Sequence, residues 1–141
     1  MADERTFPFE ILTLQKLFLQ EEVRFVVAPG QEGVFEVLPG HAPFVFALRP
    51  GALQLRQPDG KDRYLAVGTG FLVVQKDRTT VLTRSAERPE DIDLARAQQA
   101  KERADQRLTV RAPDIDVQRA QAALQRALAR LKVAEYAAVR K

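Results

Sequence analysis

Hydrophobic positions change their rhythm partway along the chain. In the first part they form short runs or alternate with polar residues. Val23, Phe25 and Val27 alternate with Arg24 and Val26, and Leu53 and Leu55 with Gln54 and Arg56. Phe71-Leu72-Val73-Val74 and Thr79-Thr80-Val81-Leu82 flank a polar Lys76-Asp77-Arg78 turn. Turn signals punctuate these segments at Pro29-Gly30, Pro39-Gly40, Pro50-Gly51 and Pro58-Asp59-Gly60. Short period-2 segments joined by such turns predict strands of a sandwich or flattened barrel, with the period-2 face inward. Gly68-Thr69-Gly70 reads as a further turn, since no third glycine or helix follows it.

From about residue 89 the rhythm becomes helical. Asp91 to Leu108 aligns with Asp114 to Leu131 at an offset of 23, each copy opening Asp-Ile-Asp and running through Ala, Gln, Arg and Leu. Aspartates can cap the first amides of a helix, and the rest are good helix formers. Ala112-Pro113 breaks the pattern between the copies, so the spacing predicts an antiparallel hairpin of two helices. Ala97, Ala100 and Ala104 form a small-residue stripe on the first helix. Val117, Ala120, Leu124, Ala127, Leu131, Ala134 and Ala138 mark the facing seam on the second. Alanine buries little area, at about 25 cal/mol per Å² of apolar surface. The hairpin is therefore expected to be the weaker half, able to detach or to open at its joint.

Composition agrees with this division. All seven glycines and seven of the eight prolines precede residue 90. Residues 1–88 carry 11 basic and 11 acidic side chains, whereas residues 89–141 carry 11 and 8, so the net charge of +3 lies in the helical part. The mixture, 45% hydrophobic and 29% charged, is that of a globular chain with no apolar run of membrane-spanning length. Met1-Ala2-Asp3-Glu4-Arg5 does not read as a secretory signal. With no cysteine and one histidine, thiolate chemistry, disulfides and a histidine-based metal cage are excluded. His41, in Leu38-Pro39-Gly40-His41-Ala42-Pro43, reads as a turn or interface histidine, since no nucleophile or orienting acid accompanies it. There is no phosphate-loop motif.

Arg119, Arg126 and Arg130 fall near one face of the second helix, and Glu135 is the only acid after residue 116. A one-signed face attracts an anionic partner such as an acidic protein loop, a phosphate or nucleic acid. Aromatics to stack single-stranded bases are missing there, which disfavours that last partner.

Three stretches then carry a likeness. Leu38-Pro39-Gly40-His41-Ala42-Pro43 with Arg49-Pro50-Gly51, Gly70-Phe71-Leu72-Val73-Val74-Gln75 with Thr80-Val81-Leu82 and Ala86-Glu87, and Glu90-Asp91-Ile92-Asp93-Leu94-Ala95-Arg96-Ala97 occur in order. In these the chain resembles, throughout its length, the epsilon subunit of bacterial and chloroplast F-type ATP synthases. The resemblance implies an α+β fold: a ten-stranded antiparallel β-sandwich over residues 1–88 followed by an antiparallel two-helix hairpin over residues 89–141. It implies a non-catalytic central-stalk subunit whose sandwich binds the gamma subunit and the c-ring, coupling rotation to proton passage. The mobile helices would extend into the alpha/beta catalytic head and inhibit ATP hydrolysis, with Arg119, Arg126 and Arg130 meeting an acidic loop there.

Some members bind ATP on the folded hairpin through an Ile/Leu-Asp-x-x-Arg-Ala motif, which here reads Ile92-Asp93-Leu94-Ala95-Arg96-Ala97. By similarity Glu87, Asp93, Arg96, Ala97, Arg103, Arg126 and Arg130 would hold a regulatory ATP. No metal and no required cofactor are implied. Before the Leu-Pro-Gly-His turn the family usually has a Gly-Glu-Leu/Met-Gly loop facing the c-ring. This chain has Gly33-Val34-Phe35-Glu36 instead, and the resemblance implies that Val34, Phe35, Glu36 and His41 would form a more apolar version of that gamma and c-ring interface. The implied place is peripheral, on the cytoplasmic face of the inner or plasma membrane, or on the thylakoid in a plastid, with no direct membrane insertion. The competing readings are a free-standing ATP-sensing module, a nucleic-acid adaptor suggested only by the pI near 9.5, and an independent hydrolase.

Overall fold

The structure is a computed structural model and describes residues 4–139. Met1-Ala2-Asp3, and the last two cations of the basic tail, Arg140 and Lys141, lie outside the described residues. Ten strands come first: β1 (Phe7–Thr13), β2 (Leu17–Val23), β3 (Phe25–Gly30), β4 (Gly33–Val37), β5 (Phe44–Leu48), β6 (Gly51–Arg56), β7 (Asp62–Val67), β8 (Gly70–Val74), β9 (Thr79–Thr83) and β10 (Ala86–Glu87). A 3-10 turn, Pro89–Asp91, leads into α1 (Leu94–Val110) and α2 (Val117–Val139).

The strands follow one hydrogen-bonded path, β10-β7-β6-β3-β5-β8-β9-β1-β2, with β4 on the other edge of β3. β3 joins the two layers. Its residues Phe25 to Val27 pair with β6, while Gly30 pairs with Leu48 of β5. Between the layers lie Phe9, Ile11, Val26, Leu48, Leu53, Leu55, Leu65, Leu72 and Val81, all but fully buried. The turns at Pro39-Gly40 and Pro58-Asp59-Gly60 fall where proline and glycine place them. Pro29-Gly30, in contrast, is the paired end of β3 with its turn at Gln31-Glu32, and Gly51 opens β6 after a bend at Pro50. At Gly40 φ is +79°, and the His41 N–H donates to the Leu38 carbonyl. At Gly70 an added Cβ would collide with the Leu82 carbonyl of β9, so this strand start accepts only glycine.

Two further findings depart from the sequence reading. The β1–β9 ladder is parallel, so the sandwich is not antiparallel throughout. β1 reaches β9 through the whole intervening chain rather than through a hairpin, which frees it from the antiparallel geometry of a tight turn. Val23, Phe25 and Val27 also do not share one inward face. The backbone turns at Arg24, whose N–H donates to the Arg56 carbonyl, and after it Val26 and Ala28 point into the core instead.

The ends of the path are clasped. Arg63 of β7 pairs with Glu21 of β2 at 3.1 Å. Arg88, just after β10, donates from Nη2 to the Phe18 carbonyl of β2 at 3.2 Å and lies over the Phe18 ring at 4.3 Å. This clasp holds the chain where it leaves the sandwich for the helices.

Each helix starts as its repeat predicts. Asp93 Oδ1 accepts the Arg96 N–H at 3.1 Å, and Asp116 Oδ1 accepts the Arg119 N–H at 3.1 Å, so the second aspartate of each copy is the cap. α1 ends on Arg111 in the left-handed conformation, φ +46°. Ala97 and Ala104 of α1 and Ala120 and Ala127 of α2 are buried between the helices, as the seam implies. Ala138, placed in the same seam, is exposed.

α2 has a second buried face. Val133 is fully buried beside Tyr64 and Ala66 of β7 and Ile92, and the Tyr64 and Tyr136 rings lie 5.1 Å apart. α2 packs on β6, β7 and the 3-10 turn, and α1 packs on α2. Replacing Val133 with alanine should cost about 2 kcal/mol of docking energy at roughly 0.8 kcal/mol per CH₂. Hydrogen exchange should then quicken across α1 and α2 and leave the β6, β7 and β8 amides unchanged. Leu65→Ala should instead lower the stability of the sandwich itself by about 2–5 kcal/mol in urea unfolding.

Candidate functional site

Three surfaces carry chemistry or contact potential. The first is the base of the hairpin, where β10 and α2 meet. The Glu87 carboxylate accepts from Arg130 Nε at 2.6 Å, with both side chains about one third exposed, 30% and 34%. Arg126, one helical turn earlier, lines the same narrow space with Val67, Gly68, Ser85 and Ala129. That space is only about 10 Å³.

The structure divides the residues expected to hold ATP. Glu87, Arg126 and Arg130 come together at the base. Asp93 and Arg96 sit in the first turn of α1, the aspartate engaged as its cap. Ala97 is buried in the seam between the helices. Arg103 lies toward the other end of the hairpin, in a cleft shared with Arg107 and Arg119. Arg119 is therefore apart from Arg126 and Arg130, about 10 Å or more along the axis at 1.5 Å per residue.

The second surface is the β3–β4 tip. Val34 and Glu36 point to solvent, with Val34 65% exposed. Phe35 turns the other way and stacks on Phe46 at 4.0 Å, and Phe44 lies 4.7 Å from the same ring. His41 is half-buried, with its Nδ1 2.6 Å from the Ala42 carbonyl and its ring 6.0 Å from Phe46. It has the surroundings of a turn histidine packed on aromatics. Val34, Phe35, Phe44 and Phe46 border a cleft of about 460 Å³ between the tip and β5, and Glu36 and His41 lie outside its lining.

The third surface was not singled out by the sequence reading. Ala47 pairs with Phe71, Phe71 with Leu82, Leu82 with Leu12, and Leu12 with Leu17. This row crosses five strands on the face turned away from the core, because Leu72 and Val81, their chain neighbours, point inward. Phe71 is 52% and Leu82 44% exposed, and Val45 beside them 56%. The available signal was the unbroken run Phe71-Leu72-Val73-Val74. A strand apolar on both faces is one that expects cover on both.

Among the described residues no group of His, Asp and Glu is placed to hold a metal ion, and no helix is long and apolar enough to cross a membrane.

Comparison with known proteins follows the same division of the chain. Residues 6–89 match the family described as ATP synthase, Delta/Epsilon chain, beta-sandwich domain, and residues 90–135 match ATP synthase, Delta/Epsilon chain, long alpha-helix domain. The ATP synthase epsilon chain of Nitratidesulfovibrio vulgaris is 51% identical over 105 residues, covering 74% of this chain and 78% of the relative. That of Koribacter versatilis is 46% identical over 108 residues, covering 77% and 74%. A chain in the cryo-EM structure of the Euglena gracilis mitochondrial ATP synthase, OSCP/F1/c-ring in rotational state 1, superposes with a TM-score of 0.81 at 25% identity, covering 92% of this chain and 81% of that one.

The base pair makes a quantitative expectation. In a double-mutant cycle of Glu87→Gln and Arg130→Gln, the coupling should be of the order of 1 kcal/mol, because partial exposure screens the pair. Urea unfolding of the four chains, read by helical ellipticity, measures it. Capping has its own signature: Asp93→Ala and Asp116→Ala should each destabilise the helix they start by about 1 kcal/mol.

Proposed function

Because the chain belongs to the ATP synthase delta/epsilon family, we propose that its helical arm is the regulatory part of a stalk subunit and that the apolar row seats the sandwich on its neighbour in the stalk. The chain is a non-catalytic central-stalk subunit of the F-type ATP synthase, with the gamma subunit, the c-ring and the alpha/beta head as partners. What it contributes is geometry and charge rather than a reacting group.

The observation that carries the reading is the separation of the two faces of the sandwich. One layer, β6 and β7, carries α2. The other presents Phe71, Leu82, Leu12 and Leu17 as a continuous apolar strip. A permanent neighbour can cover the strip while the arm stays free to leave its own layer. The gamma subunit is the proposed cover. The tip residues Val34 and Glu36, with His41 and the ring of Phe35 behind them, are the proposed contact with the c-ring. The subunit then works at the membrane surface, on its cytoplasmic side, without inserting.

The arm is proposed to inhibit ATP hydrolysis when it extends into the catalytic head, where Arg119, Arg126 and Arg130 would meet acidic side chains. In the docked form Arg130 is held by Glu87, so extension releases a cation for that contact. ATP is the proposed ligand of the docked arm, on Glu87, Arg126 and Arg130 together with Asp93, Arg96, Ala97 and Arg103. The space at the base, about 10 Å³, is too small for a phosphate as it stands, so the side chains around it would have to move to admit one. A ligand that binds the docked arm more tightly than the extended one shifts the balance toward the active enzyme.

Removal of residues 89–141 from the assembled complex should raise latent ATP hydrolysis several-fold while assembly and proton-coupled synthesis persist. Unchanged hydrolysis would defeat the inhibitory role. Separately, Phe71→Asp with Leu82→Asp should prevent assembly with the gamma subunit while circular dichroism of the isolated chain stays the same.

A further inference from the structure

We propose that Tyr64 and Tyr136 are a paired oxidation site, at which a one-electron oxidant links the arm covalently to the sandwich through a dityrosine bond. Tyr64 stands on β7 and is 7% exposed, while Tyr136, near the end of α2, is 36% exposed. Their ring centroids are 5.1 Å apart, with the planes tilted by 52°. The contact therefore spans the boundary that undocking of the arm must open.

Composition sends oxidising equivalents to this pair. Cysteine and methionine are the usual first sites of protein oxidation, and tryptophan competes with tyrosine for one-electron loss. The chain has no cysteine and no tryptophan, its one methionine is Met1, and Tyr64 and Tyr136 are its two tyrosines. Access is also provided. Tyr136 reaches solvent, and Tyr64 lines a cleft of about 170 Å³ with Asp62, Arg63, Arg88 and Ala137. A small inorganic radical, such as the carbonate radical anion, fits that space.

The chemistry balances within the pair. Each phenol gives one electron to the oxidant and one proton to water, leaving a phenoxyl radical whose spin is shared with the ring carbons ortho to the oxygen. One ortho carbon of Tyr64 then bonds to one of Tyr136. The hydrogen on each joined carbon leaves as a proton and the phenolic oxygen of that ring takes one up, which restores both aromatic rings. In sum two electrons and two protons depart, the oxidant is reduced by two equivalents, and one carbon–carbon bond forms. Because the fold holds the rings in contact, the joining step is intramolecular and outpaces encounter with a second chain. In the product α2 cannot leave β7, so the arm is fixed in its docked form. The consequence for ATP hydrolysis rests on the arm's proposed inhibitory role, whereas the oxidation site itself does not.

Illumination of the full chain with tris(bipyridyl)ruthenium and persulfate, a source of one-electron oxidant, tests this. The product should be monomeric, lighter by two hydrogens and fluorescent as dityrosine. Proteolysis should release one linked pair of peptides, containing Tyr64 and Tyr136. Tyr64→Phe and Tyr136→Phe, which keep a ring at each position, should each abolish the linked pair. Unfolding in urea before illumination should lower its yield about tenfold, since the rings are then no longer held together. Links between chains as the main product, an equal yield in urea, or oxidation that spares both tyrosines would overturn the site. The linked chain, returned to a complex lacking this subunit, should give ATP hydrolysis several-fold faster than the unlinked chain does. A linked chain that leaves hydrolysis unchanged would uphold the oxidation site and overturn the arm's inhibitory role instead.

Discussion

Val133 on α2, packed against Tyr64 and Ala66 of β7 and closed over by Tyr136, is where the helical arm is fastened to the sandwich. That contact sets how firmly the arm rests on the sandwich. α2 has to satisfy two partners at once, α1 along Ala120 and Ala127 and the sandwich along Ala129 and Val133. It does so mainly with alanines, which bring backbones close but remove little apolar surface from water. The sandwich, by contrast, is filled by Ile11, Leu48, Leu53, Leu55, Leu65 and Leu72. Separating the arm therefore costs far less than opening the sandwich, and the two can behave as independent cooperative units.

Charge follows the same division. In the sandwich several arginines are matched, as in Arg56, whose two nitrogens grip Asp62 at 2.7 and 3.0 Å. Hydrogen bonding to that carboxylate raises the Arg56 pKa further above its ordinary value. On the arm most arginines stand unmatched, and the Glu87–Arg130 bond is the conspicuous exception. That bond joins the last strand to the arm, so it adds a specific polar lock to a thin apolar contact. A regulatory element needs such a balance: enough attachment to rest in one place, and enough unspent charge to be attracted to another.

Legibility in the sequence varied with how distinctly each residue type reports its environment. The turns at Pro39-Gly40 and Pro58-Asp59-Gly60 and the inward Leu53 and Leu55 could be read directly, because glycine, proline and strict alternation have few structural meanings. Pro29-Gly30, in contrast, proved to be the paired end of β3, two residues short of its neighbour strand. The Asp-Ile-Asp repeat announced both helix starts for the same reason. Val133 was missed because in a helix with alanine on nearly every side no single apolar stripe stands out. The break at Arg24 was missed because Val23 to Val27 is apolar at too many positions to fix a phase. The parallel β1–β9 pairing is a long-range choice that local pattern does not encode. The outward row of Phe71, Leu82, Leu12 and Leu17 was not legible, because only the strand register brings these four together on one face. The arginines were visible as a charged face, yet only the fold separated Arg103 and Arg119 from Arg126 and Arg130.

The detachable arm is tested most directly by a distance measured in the assembled complex. The chain has no cysteine, so Lys76→Cys on the β8–β9 turn and Gln121→Cys on α2 accept a pair of spin labels without background. Pulsed dipolar spectroscopy should give one short distance in the isolated chain and, in the complex depleted of ATP, a second and longer population that shrinks when ATP is restored. A single unchanged distance under all three conditions would contradict a mobile arm.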